Sequence, residues 1–467
     1  MAPSAPLARR LALGLALAAA GGLPPAPGSS VARGNGCLCG TLADEFRAAE
    51  AGLVREWIVQ APFDSAGYRL TGVTVGDGLV LAQTGDGGLH AIRTAGSGSA
   101  PARAGTVAWS TTIGAAVGHA WPATVGSRLV TVASELAVHA LDRDSGVLEW
   151  EQPTGALTAA SAIQAGDWVY APLSTNRLLR LPVNPLGGPV AWESPPEKAA
   201  DRDQPAGNEA APVASESIEP LSIDAGGRID QPPVPLRSGV LWSTANGLAA
   251  VERTPLGWIR HDFPEAVAVS WSHAPPLALP GPLVVRGDSI FIATGDVGVA
   301  RIDLNAPNRP GLRAAWTATL PDRTASAAFV SGDTVVVSLG PSGVVGLSAT
   351  DGRERWRSGL VGTIVAVVAG RAWVIDDVGR LTALDLSTGS RLLSTCLGCF
   401  TLPVVNTVSE RLVLASPGGL VVSLAAPNPP PVAAPPVPAA APRKPVNAAD
   451  PEPAAEPASE DPDATPP

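Results

Sequence analysis

Gly126-Ser127-Arg128-Leu129-Val130-Thr131-Val132, followed by Leu136-Ala137-Val138-His139-Ala140-Leu141-Asp142 and then Ser145-Gly146-Val147-Leu148-Glu149-Trp150, reads as three short strands joined by tight turns. The strands are apolar, the turns are Gly- and Asp-rich, and the last strand ends in Trp. Versions of this phrase recur eight times in the 467-residue chain. A period of about 40 residues is the signature of a β-propeller, whose four-stranded blades bury their faces only against neighbouring blades. The fold class is therefore all-β, an eight-bladed propeller. Function does not follow from it, because propellers serve as enzymes, receptors and scaffolds.

Working outward, Trp ends the copies at Trp57, Trp109, Trp150, Trp192, Trp258, Trp316 and Trp356, and Leu393 takes that place in the next copy. The final copy, over residues 410–424, stops before any Trp strand, whereas Trp57 has no copy before it. The two defects cancel if the strand around Val54 to Val59 completes the last blade. That would give eight full blades and leave no open edge to aggregate. The propeller is placed at 57–426. Residues 33–56 form a Cys-containing segment and a helix over 41–56, with Thr41 and Asp44 approximating a capping box and Leu42, Phe46, Leu53 and Trp57 on one face.

The chain ends read differently. Residues 1–32 resemble an export signal: Arg9-Arg10, an apolar run from Leu11 to Ala20, and small residues at Ala18-Ala19-Ala20 or Ser30-Val31-Ala32. Whether general secretion or the twin-arginine route is used stays open. A run of ten is too short to span a bilayer, which takes about 20 residues. Cys37 follows Gly34-Asn35-Gly36, which argues against a lipid anchor there. Residues 427–467 are mostly Pro, Ala and acidic, a composition that predicts disorder. The same is expected of the acidic segment 193–235 between the third and fourth units.

The formal net charge is −10. Segment 193–235 holds nine Asp/Glu and three Lys/Arg and the tail six and two, so the rest of the chain is neutral. A neutral ring lacks the clustered Lys and Arg that phosphate contacts require, which sets nucleic acid aside.

The stretch Leu141-Asp142-Arg143-Asp144-Ser145-Gly146-Val147-Leu148-Glu149-Trp150 resembles the repeat of the quinoprotein-like (PQQ-like) propellers, as do Leu384-Asp385-Leu386-Ser387-Thr388-Gly389 and Ala349-Thr350-Asp351-Gly352-Arg353-Glu354-Arg355-Trp356. The resemblance covers about residues 53–425. It implies two alternatives: a non-enzymatic branch, resembling the lipoprotein propeller of the outer-membrane assembly machinery, and quinone-dependent dehydrogenases. The dehydrogenases carry a Ca²⁺ site, a catalytic Asp and in many cases a disulfide between adjacent cysteines. This chain has no Cys-Cys pair and no evident carboxylate and amide cluster for a hard cation. The reading is thus an exported, non-catalytic module of the periplasm or extracellular space, monomeric, without cofactor, binding an envelope protein. A PQQ-dependent oxidoreductase using Ca²⁺ is the alternative.

His90 and His139 fall at one repeat position, which the pattern assigns to an aromatic, and His119, His261 and His273 show no ligand spacing. No Gly-x-Ser-x-Gly elbow is present. The four cysteines, Cys37, Cys39, Cys396 and Cys399, suggest disulfides in an exported chain. Three arrangements stay open. Cys37 and Cys39 bridge Cys396 and Cys399 across the ring closure, the four hold zinc, or Cys396 pairs locally with Cys399.

Overall fold

The computed structural model describes residues 41–94, 103–113, 120–184, 221–237, 239–244, 247–254, 257–263, 279–295, 298–304 and 314–427. A short helix, α1 (Glu45–Glu50), precedes the first strand, β1 (Val54–Gln60). Blade 1 is β2 (Leu70–Val75), β3 (Leu79–Thr84), β4 (Gly88–Arg93) and β5 (Val107–Thr112). Blade 2 is β6 (Thr124–Val125), β7 (Leu129–Ala133), β8 (Ala137–Asp142) and β9 (Leu148–Pro153). Blade 3 is β10 (Ile163–Ala165), β11 (Trp168–Leu173), β12 (Arg177–Pro182) and β13 (Leu221–Asp224). Blade 4 is β14 (Val234–Pro235), β15 (Gly239–Thr244), β16 (Gly247–Thr254) and β17 (Gly257–Phe263). Blade 5 is β18 (Val284–Arg286), β19 (Ser289–Thr294), β20 (Gly298–Asp303) and β21 (Ala314–Thr319). Blade 6 is β22 (Phe329–Ser331), β23 (Thr334–Leu339), β24 (Gly343–Ser348) and β25 (Glu354–Ser358). Blade 7 is β26 (Gly362–Val368), β27 (Arg371–Asp376), β28 (Arg380–Asp385) and β29 (Arg391–Cys396). Each of these sheets runs in chain order.

Blade 8 closes the ring. It joins β30 (Arg411–Ala415) and β31 (Leu420–Ala425) to β1, in the order β1-β31-β30. β1 lies antiparallel to β31, from Val54 opposite Ala425 to Gln60 opposite Leu420. The innermost strand of this blade shrinks to one bridge, Leu402 to Ala415. Pro403 follows that bridge and has no N–H to extend a ladder.

Blade contacts are apolar and local. The second and third strands of blades 1 and 2 bury nearly every side chain, because both of their faces meet neighbours. The fourth strands alternate instead, as in β9 and β25, with one face towards solvent.

Six fourth strands share a bulge. Their register slips by one residue immediately before Trp57, Trp109, Trp150, Trp316, Trp356 and Leu393. The unpaired residues are Glu56, Ala108, Glu149, Ala315, Arg355 and Leu392. A bulge bends its strand and re-aims the next side chain, and here that side chain enters the interface with the following blade. Trp109 Nε1 donates to Arg143 O at 2.8 Å, Trp150 Nε1 to Val183 O at 3.1 Å, Trp316 Nε1 to Ala349 O at 2.9 Å and Trp356 Nε1 to Leu386 O at 2.7 Å. The bulged residue often makes an ion pair with the start of the second strand. Glu149 pairs with Arg128 and Arg355 with Asp333. Glu56 takes Arg411 Nε at 2.8 Å and its second guanidinium nitrogen at 3.1 Å, and accepts from Ser423 Oγ at 2.9 Å.

Four expectations need correction. The helix spans Glu45–Glu50, not 41–56, and its N-cap is Asp44, which accepts from Phe46 N. Gly52 stops it in the left-handed region at φ 63°, where the Arg371 guanidinium packs on it and donates to Ala51 O. Leu42 and Leu53 are buried as expected, but Phe46 is 70% exposed. Second, the acidic segment is structured from residue 221 onward: Leu221–Asp224 is the fourth strand of blade 3, Ile229 is buried and Val234–Pro235 begins blade 4. Averaged acidic composition hid these short apolar stretches. Third, Leu221, opposite Arg180, holds the place assigned to Trp192, which lies outside the described residues. Fourth, Trp258 sits in β17 opposite Arg253, three residues off the docking register, where His261 stands opposite Ala250. Residues 1–40, 185–220 and 428–467 are outside the described set, and with them the export signal, the rest of the acidic segment and the tail.

Two outcomes follow from this geometry. Gly146→Val should lower stability by about 2–4 kcal/mol, because a Cβ there would lie 2.3 Å from the Trp109 ring on a backbone at φ 70°; denaturant unfolding measures it, and an unchanged midpoint contradicts the docking role. Glu56→Ala should cost about 3–5 kcal/mol, since it leaves the Arg411 side chain, 11% exposed, without its carboxylate. Limited proteolysis before residue 60 should accelerate in that variant, and protection equal to the parent would show that the ion pair does not hold the closing strand.

Candidate functional site

A cleft of about 330 Å³ opens between blades 1 and 2 on the face that carries the hairpins between second and third strands. Thr71 and Gly72 of β2, the β3–β4 hairpin through Gly87 and Gly88, Ile113, Pro122 and Ser134 line it. Gln83 builds its floor from the penultimate position of β3. Its Oε1 accepts from Ala123 N at 2.7 Å and its Nε2 donates to Trp121 O at 3.1 Å, tying the entry of blade 2 to blade 1. The wall beyond is braced in turn: Trp121 Nε1 donates to Thr158 Oγ1 at 3.0 Å, and Thr158 Oγ1 to Ser134 O at 2.6 Å. The lining is glycine backbone, hydroxyls, aliphatic carbon and the Gln83 amide, with no ionisable side chain. Such a site selects neutral groups.

Beside the cleft, the third strand of blade 2, β8, buries His139. Its Nε2 lies 3.1 Å from Ser134 Oγ and its Nδ1 3.6 Å from Glu151 Oε2. Ser134 Oγ also donates to Ala137 O at 3.1 Å, the same hairpin bond that Thr244 and Thr294 make to Gly247 O and Gly298 O. That repetition marks Ser134 as a hairpin brace. His90, at the same repeat position in blade 1, sits 3.0 Å from Ser110 Oγ and stacks on Phe63, with ring centroids 5.8 Å apart. Burial lowers both imidazole pKa values, against the opposing charges of Asp86 for His90 and Glu151 for His139. In blades 3, 5, 6, 7 and 8 the strand register gives this position to Leu179, Ala300, Val345, Thr382 and Val422, so it takes small or aliphatic side chains and not the aromatic one expected. In the neighbouring blade 3, burial pushes the Tyr170 hydroxyl up to about 12, with Arg180 opposing.

The sequence-assigned residues land in two groups. Trp57, Trp109, Trp150, Trp316 and Trp356 are buried at blade junctions and take no part in a ligand site. Of the cysteines, Cys399 is disulfide-bonded and Cys396 is a free, exposed thiol. Local pairing of Cys396 with Cys399 and a double bridge using Cys396 are therefore both corrected. Cys37 and Cys39 lie outside the described residues. Gln83 and the Glu56–Arg411 pair had no sequence signal of their own; only the bulge register, visible once strands are paired, singles out Glu56.

The model of one protein family, outer membrane protein assembly factor BamB, matches residues 55–306, 239–360 and 341–427, which together span the ring. The chain belongs to the BamB family. Among solved structures, BamB from Moraxella catarrhalis is similar at 14% identity and TM-score 0.54, covering 80% of this chain and 97% of that one. The computationally designed Ika8 protein matches at 11% identity and TM-score 0.50, over 78% and 98% of the two chains. Citrobacter koseri AztD matches at 10% identity and TM-score 0.49, over 76% and 89%. At these identities the likeness to each structure is one of fold. No curated protein matches the sequence.

The buried histidines of this BamB-family chain predict a pH dependence. An unfolded histidine titrates near 6.5 and these two below it in the folded protein, so the unfolded state binds more protons as the medium acidifies. Their contribution is complete above about pH 6.5 and is lost as pH falls through the folded values. Thermal melts between pH 7.5 and 5 should show a declining midpoint, and His90→Gln with His139→Gln should flatten part of that decline. An identical slope in the double variant would remove the two imidazoles as its source.

Proposed function

We propose that this chain is an exported, non-catalytic propeller of the bacterial envelope that holds a protein partner on the hairpin face, around the cleft between blades 1 and 2. Membership of the BamB family is the observation that carries the reading, since that family is named for outer-membrane protein assembly. The location in the envelope and the partner's being a protein rest on that membership and on the export signal read from residues 1–32.

The chemistry of the cleft supports the choice of face. Its walls are uncharged, and two apolar side chains are exposed close by in the chain: Leu136, two residues beyond the lining residue Ser134 and 56% exposed, and Leu157, 52% exposed, whose neighbour Thr158 donates to Ser134 O. Exposed leucines beside a concave, neutral pocket suit an apolar anchor from a partner polypeptide, because contact of this kind gains most from removing apolar area from water. We take the unbound chain as a monomer.

Cross-linking capture from envelope extract tests the reading. The parent protein should recover a defined partner, and the pair Leu136→Asp with Leu157→Asp should lose at least tenfold of it while melting normally. Undiminished recovery by that variant would move the interface elsewhere. Absence of any specific partner for the parent would end the binding reading itself.

A further inference from the structure

The Ser134 hydroxyl has one proton and two neighbours at equal distance that can accept it, Ala137 O at 3.1 Å and His139 Nε2 at 3.1 Å. The state of the imidazole decides between them. His139 is buried, and its other nitrogen, Nδ1, faces the Glu151 carboxylate at 3.6 Å. In the neutral ring that carboxylate draws the single ring proton to Nδ1, so Nε2 carries a lone pair and takes the Ser134 proton. In the charged ring both nitrogens are donors. Nε2–H then donates to Ser134 Oγ, and the hydroxyl proton is left for Ala137 O. The heavy atoms need not move, because the same contacts serve both states.

The surroundings leave this exchange to one carboxylate. His139 stands opposite Val132 and shares its face of the blade, which packs on Leu89, Ala91, Trp109 and Ile113 from blade 1, none of them charged. Glu151, opposite His139 on β9, is the charge acting on the ring among the described residues, and Glu135 in the hairpin turn is exposed. Thr244 and Thr294 make the same hairpin bond in blades 4 and 5, where Ala249 and Ala300 stand in place of His139. In blade 1 the equivalent His90 turns its Nδ1 to Ser110 instead.

We propose that Ser134, His139 and Glu151 form a pH-operated latch on the β7–β8 hairpin, open while the imidazole is neutral and closed once it is charged. Closing gives a second bond to Ala137 O, which already accepts from Ser134 N at 2.8 Å. It thereby tightens the turn that displays Leu136 beside the cleft wall. Burial lowers the His139 pKa, with Glu151 opposing, so the latch is open at neutral pH and closes on the acid side of the ordinary histidine range. The latch is a property of the free chain. It goes beyond partner binding on the hairpin face and does not rest on it.

NMR of the full chain, with histidine rings labelled in ¹⁵N and the Ala137 carbonyl in ¹³C, reads both ends of the latch. At about pH 7.5 the neutral His139 ring should carry its proton on Nδ1. On titration to about pH 4.5 the Ala137 carbonyl carbon should move downfield, as a carbonyl does on accepting a further bond, with the same midpoint as the imidazole. Ser134→Ala should abolish that movement while His139 still titrates. Glu151→Ala, at a side chain 53% exposed, should lower the imidazole midpoint and give the neutral ring's proton to Nε2. Ser134 then bonds Ala137 throughout, and the carbonyl should stay at its acid position across the range. A proton found on Nε2 in the neutral parent would overturn the proposal, because the serine bond to Ala137 would be made at every pH. So would an Ala137 carbonyl that stays still while the imidazole titrates, or an imidazole that remains neutral until the chain unfolds.

Discussion

Four of the blade junctions are each held by a Trp side chain set against a glycine, and the neighbouring strands and turns are arranged to permit that contact. A Cβ on Gly105, Gly146, Gly352 or Gly389 would fall within about 2.5 Å of the side chain of Trp57, Trp109, Trp316 or Trp356 respectively, so only glycine leaves room. All four glycines have φ near 70–75°, a conformation that costs glycine little and other residues more. A buried Trp removes about 150–250 Å² from water, and at roughly 25 cal/mol per Å² that is on the order of 4–6 kcal/mol per junction before entropy is charged. The Asp of the repeat makes the turn that presents the glycine. Asp142 Oδ1 accepts from Asp144 N, Ser145 N and Ser145 Oγ, and Asp385 Oδ1 accepts from the corresponding Ser387 and Thr388 groups. Hydrogen bonding to these side chains pulls both carboxylates below their ordinary pKa. Leu-Asp, Ser/Thr-Gly and Trp are thus one device seen in sequence: a turn, a flat wall, and the ring that rests on the wall of the next blade.

The same device explains the closing strand. A ring of such junctions ends with a first blade that needs a Trp from the last, and the last copy in the chain has none. Trp57 supplies it from the other end, packed against Gly105, although its Nε1 finds no hydrogen-bond partner among the described residues. The bulge that aims it leaves Glu56 unpaired in the ladder, and Arg411 and Ser423 satisfy that carboxylate from both other strands of the blade. Closure therefore combines a sheet ladder, a docked ring and a nearly buried ion pair within the seven residues of β1. The cluster formed by Leu42, Ala48 and Leu53 with Phe400 and Leu412 extends it onto the segment before the strand.

Repetition is what made the fold legible in the sequence, and it is also where legibility ended. The eight copies, the closing role of residues 54–59 and the Trp positions of blades 1, 2, 5 and 6 follow from a phrase that recurs. Blades 3 and 4 break the phrase. Leu221 and His261 stand where Trp would, and a nearby Trp in each copy, Trp192 and Trp258, attracted the assignment because a motif scan sees spacing and not register. The helix was overextended for a related reason: Leu42 and Leu53 are buried on the same cluster, but Gly52 turns the chain between them, so their apolar character reflects a shared core and not a shared helix face.

Function in such a ring has to sit where the copies differ, since the repeated parts are occupied with holding blades together. Blade 1 departs from its neighbours by carrying Gln83 near the end of its second strand, and the corresponding residue of blade 2 is Ala133. Gln83 satisfies two backbone groups of the incoming chain, so the entry of blade 2 is held by hydrogen bonds where apolar packing would otherwise fill the junction. A space lined by backbone and hydroxyls is left between the two blades, with Leu136 and Leu157 exposed beside it. Buried apolar contact would have cost nothing in desolvated polar groups. Retaining an amide there, with both of its ends satisfied, keeps the junction open without leaving a buried polar atom unpaired. The cleft is accordingly a product of one substitution in the repeat, which is why neither composition nor periodicity pointed to it.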